Sequence, residues 1–211
     1  MSNPESFIEE VTEEVRRDKL YAALRKYGWI GILAVILLVG GAAVNEWMKA
    51  RDQATAEATG DAILAALEAQ DLAALDAVPT KGDARVLVAL TAAAEAATPQ
   101  AAAEKLAALA GDTTVPQLYR DLATLKRATL PGGAVSAEDR ITSLEPLALA
   151  GGPFRALAEE QIALAEIELG KPDAALSRLQ TLMQDKDASG NLRRRATQLI
   201  VALGGDPNGE G

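Results

Sequence analysis

The sequence predicts an all-α protein, with one transmembrane helix near its N-terminus and an extramembrane domain built from helices. Three observations predict this fold class: an uncharged apolar run near the N-terminus, a remainder rich in Ala and Leu, and short breakers of Gly and Pro throughout it. Ala and Leu are strong helix formers, whereas Gly and Pro end helices. We therefore divide the chain into a cytoplasmic leader, a transmembrane helix, a helical domain and a disordered tail. Their ranges are 1–26, 27–47, 48–203 and 204–211.

The apolar run extends from Trp29 to Val44, reads WIGILAVILLVGGAAV and carries no charge. With Tyr27 before it and Trp47 after it, the stretch is long enough to cross a hydrocarbon core of about 30 Å at about 1.5 Å per residue. We predict that Tyr27, Trp29 and Trp47 anchor the helix at the two membrane surfaces, where aromatic side chains concentrate. A buried core helix is an alternative, but a run that is apolar on every face favours lipid surroundings.

A cleaved signal peptide is a second alternative for the same run. Gly40 and Ala42 are small enough to imitate a cleavage site. The segment before the run holds six acidic residues, however, and the first region of a signal peptide is short and basic. We therefore expect the helix to be retained as an anchor.

Basic residues are distributed unevenly around the span. Only Lys49 and Arg51 follow it closely, whereas five basic residues precede it. These five are Arg16, Arg17, Lys19, Arg25 and Lys26. Because cytoplasmic flanks carry the excess of Lys and Arg, the N-terminus is predicted to lie in the cytoplasm and the C-terminal domain across the membrane. The leader has helical spacing of its apolar residues, which predicts an amphipathic helix. This helix either docks on a membrane partner or along the lipid headgroups, or is a solvated leader that only determines topology.

The composition excludes several kinds of chemistry. The chain has no Cys and no His, which excludes disulfides, thiolate metal sites and histidine bases. The formal net charge of −9 disfavours nucleic acid as a partner, because phosphate binding requires a basic surface. Glycine pairs such as Gly132-Gly133 lack the spacing of a phosphate loop. We therefore predict no catalytic residue, no cofactor and no metal, and expect that the protein is not an enzyme.

Two groups of charged residues are candidates for binding. The pairs Glu159-Glu160 and Glu166-Glu168 could in principle hold a metal ion, but we favour the interpretation that they form a solvated helix face. The run Arg193-Arg194-Arg195 could bind lipid headgroups or an acidic partner. Charge balance within an acidic domain is the favoured alternative for these arginines.

After Met48, predicted helices alternate with short breakers. Thr98 and Ser136 are predicted N-caps, because their side-chain oxygens can accept a hydrogen bond from the first helical turn. The predicted helices cover 54–78, 84–97, 100–110, 115–129, a segment that begins after Ser136, 154–169, 174–184 and 192–203. An interruption near Gly60 is an alternative for the first of them.

Helix–turn–helix units of about 34 residues are typical of tetratricopeptide (TPR) solenoids. The most regular unit here runs from Arg155 to Lys186, and Glu166 stands in it where an aromatic residue is usual. No Pro closes the unit, so we expect one regular repeat and two degenerate ones, with an ordinary helical bundle as the alternative. The predicted packing residues of the unit are Ala163, Gly170, Ala175, Leu179 and Leu182.

Three features follow one another along the chain: a charged leader, FIEEVTEEVRRDKLYAALRKYG, one apolar span, and a C-terminal stretch that contains LAEEQIALAEIELGKPDAALSRLQTLMQD. In this order they resemble the YfgM-like ancillary subunits of the SecYEG translocon, and the resemblance covers nearly the full chain. It implies a protein of the bacterial inner membrane with a periplasmic TPR-like domain. It also implies association with the translocon and with periplasmic folding factors, and it implies no catalytic residue.

The sequence leaves three functions open. The first is a non-catalytic scaffold at the translocon, whose concave helical surface holds a partner and whose anchor in the lipid bilayer raises the local concentration of that partner. The second is an accessory subunit or assembly factor of another inner-membrane complex, such as a respiratory one, with the leader and span as the interface. The third, an enzyme, is disfavoured by the absence of catalytic groups.

Overall fold

The computed structural model of the chain describes residues 4–80, 82–149 and 151–207. Within these residues the secondary structure is α-helical and contains no strand, so the predicted all-α class with one long apolar N-terminal helix is confirmed. The chain forms two compact units, Met1–Ala58 and Thr59–Gly211. The helices are α1 (Pro4–Glu68), α2 (Leu72–Asp76), α3 (Ala84–Ala94), α4 (Pro99–Gly111), α5 (Gln117–Ala128), α6 (Ala137–Leu144), α7 (Arg155–Glu168), α8 (Pro172–Gln184) and α9 (Gly190–Ala202).

The helix α1 contains 65 residues and has no break at either predicted end of the span. The predicted leader, the span and the first stretch of the predicted domain are therefore parts of one helix. Gly60 does not interrupt α1, because a single glycine weakens a helix without ending it. The second unit begins at Thr59, later than the predicted domain start at residue 48.

The prediction of one helix over 54–78 is wrong. The chain leaves the helix after Glu68, and Gln70 has a φ of 52°, a left-handed conformation that stops helix propagation. Asp71 then caps α2, because its side chain accepts a hydrogen bond of 2.9 Å from the backbone N–H of Ala74. The turn buries Leu75 completely in a small core, and this tertiary contact overrides the helical propensity of the local sequence.

Both predicted N-caps are confirmed. The hydroxyl of Thr98 accepts a hydrogen bond from the backbone N–H of Ala101 at 3.2 Å, at the start of α4. The hydroxyl of Ser136 accepts one from the backbone N–H of Asp139 at 3.1 Å, at the start of α6. Each cap satisfies a backbone donor that the first helical turn leaves unpaired.

From α2 to α9, helices that are consecutive in the chain pack on each other. Two further contacts join helices that are separated by one helix in the chain, α5 with α7 and α7 with α9. The apolar core is correspondingly divided into successive clusters, which involve α3 to α5, then α5 to α7, then α7 to α9. As a result, α7 is the central helix of the C-terminal half, where it contacts α5, α6, α8 and α9.

The disordered tail is predicted to begin at residue 204, but the described structure is still ordered there. Gly204 has a φ of 79°, and the backbone N–H of Gly205 donates to the carbonyl of Ile200 at 2.9 Å, so these glycines close the C-terminus of α9. A Cβ atom on Gly205 would lie 2.6 Å from Cδ2 of Leu176, which shows how closely this turn packs on α8. Residues 208–211 of the predicted tail lie outside the described residues.

Candidate functional site

The apolar stretch of α1 is exposed along its whole length. An 18-residue window of this helix has a mean hydropathy of 2.2, and none of it is buried. Among the described residues, α1 is the one helix that is long and apolar enough to cross a membrane. A core helix would bury such a stretch, so the core-helix alternative does not agree with the structure. Leaving so many aliphatic side chains in water costs about 25 cal/mol per Å² of apolar surface, and this cost favours lipid surroundings.

The three predicted anchor residues, Tyr27, Trp29 and Trp47, are all more than half exposed. A basic side chain lies over an aromatic ring at each end of the apolar stretch. The Nζ atom of Lys26 is 5.5 Å from the ring centre of Tyr27, and Cζ of Arg51 is 5.9 Å from that of Trp47. Aromatic rings next to long basic side chains suit the headgroup region, where the ring and the aliphatic stem can lie against lipid while the charge reaches water.

The structure brings the five predicted repeat-packing residues together where α7 meets α8. Four of them are almost completely buried in a core that also includes α9; they are Ala163, Ala175, Leu179 and Leu182. Gly170 lies in the turn between the helices with a φ of 67°. The turn is closed by the backbone N–H of Lys171, which donates to the carbonyl of Glu166 at 2.9 Å. Gly170 is suited to this position because a side chain disfavours the left-handed conformation.

Glu166 is 7% exposed and is held by Arg178 of α8. The Nη2 of Arg178 donates to one carboxylate oxygen at 2.8 Å, and its Nε donates to the other at 3.2 Å. Nη1 of the same guanidinium binds Glu159. The hydrogen bonds to Glu166 raise the pKa of Arg178 above its ordinary value. An ion pair thus links α7 to α8 at the position where the repeat pattern predicts an aromatic side chain.

The other two acidic residues of α7 are also paired. Glu160 is 4% exposed and accepts two hydrogen bonds of 2.6 Å from Nε and Nη2 of Arg195 on α9. Glu168 pairs with Arg140 of α6. The solvated-face interpretation is therefore wrong for Glu160 and Glu166, which are buried, whereas Glu168 is exposed; together these carboxylates pair with arginines from three neighbouring helices. We call Glu159, Glu160, Glu166 and Glu168 the α7 glutamates. Among the described residues no group of acidic side chains is arranged to hold a metal ion.

The run Arg193-Arg194-Arg195 does not form one basic cluster. Arg195 binds Glu160, whereas Arg193 donates to the carbonyl of Asp185 at 3.2 Å and Arg194 donates to Oδ1 of Asn191 at 2.8 Å. Consecutive residues of a helix point in directions about 100° apart. The three guanidinium groups therefore bind three separate partners.

The repeat from Arg155 to Lys186 lacks the proline that usually ends such a unit. An ion pair lies at this end of the repeat instead. Arg155, at the start of α7, pairs with Asp185 at the end of α8. The backbone N–H of Asp187 donates to Asp185 at 2.9 Å, and this hydrogen bond, assisted by Arg155, lowers the pKa of Asp185. The pairing in turn raises the pKa of Arg155. The two charges thus hold the end of α8 against the start of α7.

An open groove of about 590 Å³ lies between α7 and α9. We call it the α7/α9 groove. Its volume is in the range of protein sites that bind small ligands or short peptide segments. Two leucines and an alanine supply apolar surface, two glutamines supply amide donors and acceptors, and the Glu160–Arg195 pair lies among them. The uncharged lining residues are Gln161, Leu164, Gln198, Leu199 and Ala202. The sequence prediction did not locate this groove, although these residues recur at helical spacing on their two helices.

The fold and the site define an all-helical protein with one long apolar N-terminal helix and a compact helical unit that carries an open groove. No protein-family model, characterised protein or solved structure matches the chain. The resemblance to translocon subunits therefore stays a prediction from the sequence.

Proposed function

We propose that the chain is a non-catalytic, membrane-anchored scaffold of the bacterial inner membrane. In this proposal α1 crosses the bilayer once, with the leader in the cytoplasm and the helical unit in the periplasm. The observation that carries the proposal is the apolar stretch of α1, which is exposed throughout and matches the thickness of a bilayer. The excess of basic residues before the stretch supports the direction of insertion.

We further propose that the helical unit is a TPR-like solenoid. Two observations support this arrangement. Consecutive helices of the unit pack on each other, and the alternate helices form a row in which α7 contacts both α5 and α9. In a solenoid, such a row lines one continuous surface that is available to a partner. The α7/α9 groove lies on this row, so we assign partner binding to it.

The partner we propose is the SecYEG translocon together with periplasmic folding factors, and the support is the resemblance of the leader and the C-terminal stretch. The lining of the groove suits an uncharged segment of another protein, because leucines can bury an apolar side chain while glutamine amides bind its backbone. A bilayer anchor would increase the effective concentration of such a partner. The alternative is an accessory subunit of another inner-membrane complex. The long exposed surface of α1 favours it, because that surface could pack against membrane subunits.

The absence of Cys from the chain gives a direct test of topology. Ser177 is exposed on α8, so Ser177→Cys should react with a membrane-impermeant maleimide in intact spheroplasts. Ser2→Cys should react only after lysis, because the leader is proposed to lie in the cytoplasm. The unsubstituted chain is the control and should not react. The reverse labelling pattern would contradict the proposed orientation.

The partner is tested by extracting the full chain in mild detergent and identifying the proteins that copurify. Ala202 is exposed in the α7/α9 groove, so Ala202→Trp should fill the groove and lower partner recovery roughly tenfold, which corresponds to about 1.4 kcal/mol. Ala174→Trp on α8 is the matched control, because Ala174 is exposed outside that groove, and it should retain the partner. Translocon subunits would support the first proposal and an electron-transfer complex the alternative. Full recovery with Ala202→Trp would place the interface elsewhere.

A further inference from the structure

The two ends of the apolar stretch of α1 differ in charge. Between Arg16 and Lys26, on the Tyr27 side, the chain carries five basic residues and one acidic residue. Around Trp47 the balance is reversed, with three acidic and two basic residues. These are Glu46, Asp52, Glu57, Lys49 and Arg51. An anionic surface would therefore be attracted to one end of the stretch and not to the other.

The basic residues nearest to Tyr27 have no acidic neighbour on the helix. Arg25 and Lys26 are both exposed, and no Asp or Glu lies within four positions of either in the sequence, which is the range in which helical side chains meet. Lys49 differs, because Glu46 and Asp52 each lie three positions from it. Acidic residues thus lie within helical reach of Lys49 at the Trp47 end, whereas Arg25 and Lys26 at the Tyr27 end have no such neighbour.

Arg25 and Lys26 point to different sides of α1, because consecutive helical residues are about 100° apart. Lys26 also lies over the ring of Tyr27, with 5.5 Å between Nζ and the ring centre. This contact keeps the ammonium group beside a ring that is suited to the membrane interface. Arg25 and Lys26, which we call the basic collar, are therefore placed where phosphate groups of lipid would surround the helix.

We propose that the basic collar binds the headgroups of anionic phospholipids and selects them over zwitterionic lipids, whereas the Trp47 end does not. The inference rests on the proposed membrane insertion of α1. Its physical basis is the attraction between juxtamembrane Lys or Arg and an anionic membrane surface, which falls off within a Debye length. The occupant is a lipid headgroup because the collar directly adjoins the apolar stretch, so any lipid beside that stretch presents its phosphate to the collar.

The chain contains two tryptophans, and one lies at each end of the apolar stretch, which supplies a probe for each end. Single-tryptophan variants, Trp47→Phe and Trp29→Phe, are placed in phosphatidylcholine vesicles that contain a minor fraction of lipid with brominated chains. The brominated lipid is either phosphatidylglycerol or phosphatidylcholine at the same mole fraction. Trp29 should be quenched more by the phosphatidylglycerol, with an enrichment of roughly two- to fivefold. Trp47 should be quenched equally by both.

Arg25→Gln with Lys26→Gln should remove the excess quenching of Trp29, and the matched pair Lys49→Gln with Arg51→Gln should leave it unchanged. High salt should reduce the excess, because exposed charges are screened. Replacing the chloride of the low-salt buffer by inorganic phosphate, with the ionic strength kept low, should not reduce the excess, and a loss of the excess would overturn the assignment to lipid. Equal quenching of Trp29 by both lipids, or an excess that survives in the double variant, would also overturn the proposal. If neither lipid quenched either tryptophan, both this inference and the proposed membrane insertion of α1 would be wrong.

Discussion

Replacing Leu37 and Leu38 together by arginine is expected to abolish retention of the chain in the membrane. Both side chains are more than two-thirds exposed in the middle of the apolar stretch, so lipid is proposed to be their only surroundings. On insertion scales each arginine at the bilayer centre costs about 2.5–3.5 kcal/mol. The pair costs about 5–7 kcal/mol, which corresponds to a change of more than a thousandfold in the insertion equilibrium. The measurement is the fraction of the chain that stays in the membrane pellet after alkaline carbonate extraction.

Leu64→Arg with Ala65→Arg is the matched control for this prediction. These residues are exposed on the same helix but lie beyond the apolar stretch, so retention should not change. An intact mass of the retained chain that includes the residues of the apolar stretch would exclude a cleaved signal peptide. If the Leu37/Leu38 variant stayed in the membrane like the control, the assignment of this stretch as the anchor would be wrong.

Arg178→Met is expected to destabilise the helical unit by about 3 kcal/mol, because removing one partner of a buried ion pair leaves an uncompensated charge. The side chain of Glu166 is 9% exposed and that of Arg178 is 29% exposed. Without the guanidinium, the Glu166 carboxylate loses both of its hydrogen bonds to α8. The measurement is the free energy of unfolding in urea, followed by circular dichroism of the full chain in detergent.

Two variants test whether the unpaired carboxylate is the cause. Arg178→Met combined with Glu166→Gln should recover much of the lost stability, because the charge is then removed from the more buried of the two carboxylates that Arg178 binds. Arg194→Met is the matched surface control. Its guanidinium is exposed and donates to Asn191 of the same helix, so its effect should stay within about 0.5 kcal/mol. Equal losses for Arg178→Met and Arg194→Met would show that the pairing with the α7 glutamates contributes little.

The α7 glutamates show why the sequence prediction failed at part of the candidate site. Glu160 and Glu166 are acidic residues on a helix, and such residues are mostly solvent-exposed, so a solvated face was the natural expectation. Their partners, Arg195 and Arg178, lie on other helices. The ion pairs connect positions that are 35 and 12 residues apart in sequence. No local sequence pattern indicates which arginine pairs with which carboxylate.

The same limit applies to the groove and to the first turn of the second unit. Leu164 and Leu199 line one groove because α7 packs against α9, and the packing of two helices separated by a third is not encoded in the spacing of either one. Gln70 adopts a positive φ although its type favours helix, because the turn that it forms allows Leu75 to be buried. Propensity is a weak preference, and burial of a large apolar side chain overrides it.

The sequence by itself determined the features that depend on a short stretch of chain. These are the all-α class, the long apolar helix near the N-terminus, and the helix caps at Thr98 and Ser136. Each of them follows from the propensity, hydropathy or hydrogen-bonding capacity of residues that are close together in the chain. Only the tertiary structure decided where α1 ends, how the α7 glutamates are paired and where the groove lies. These features depend on free energies of contacts between distant helices, in which desolvation, ion pairing and burial compete.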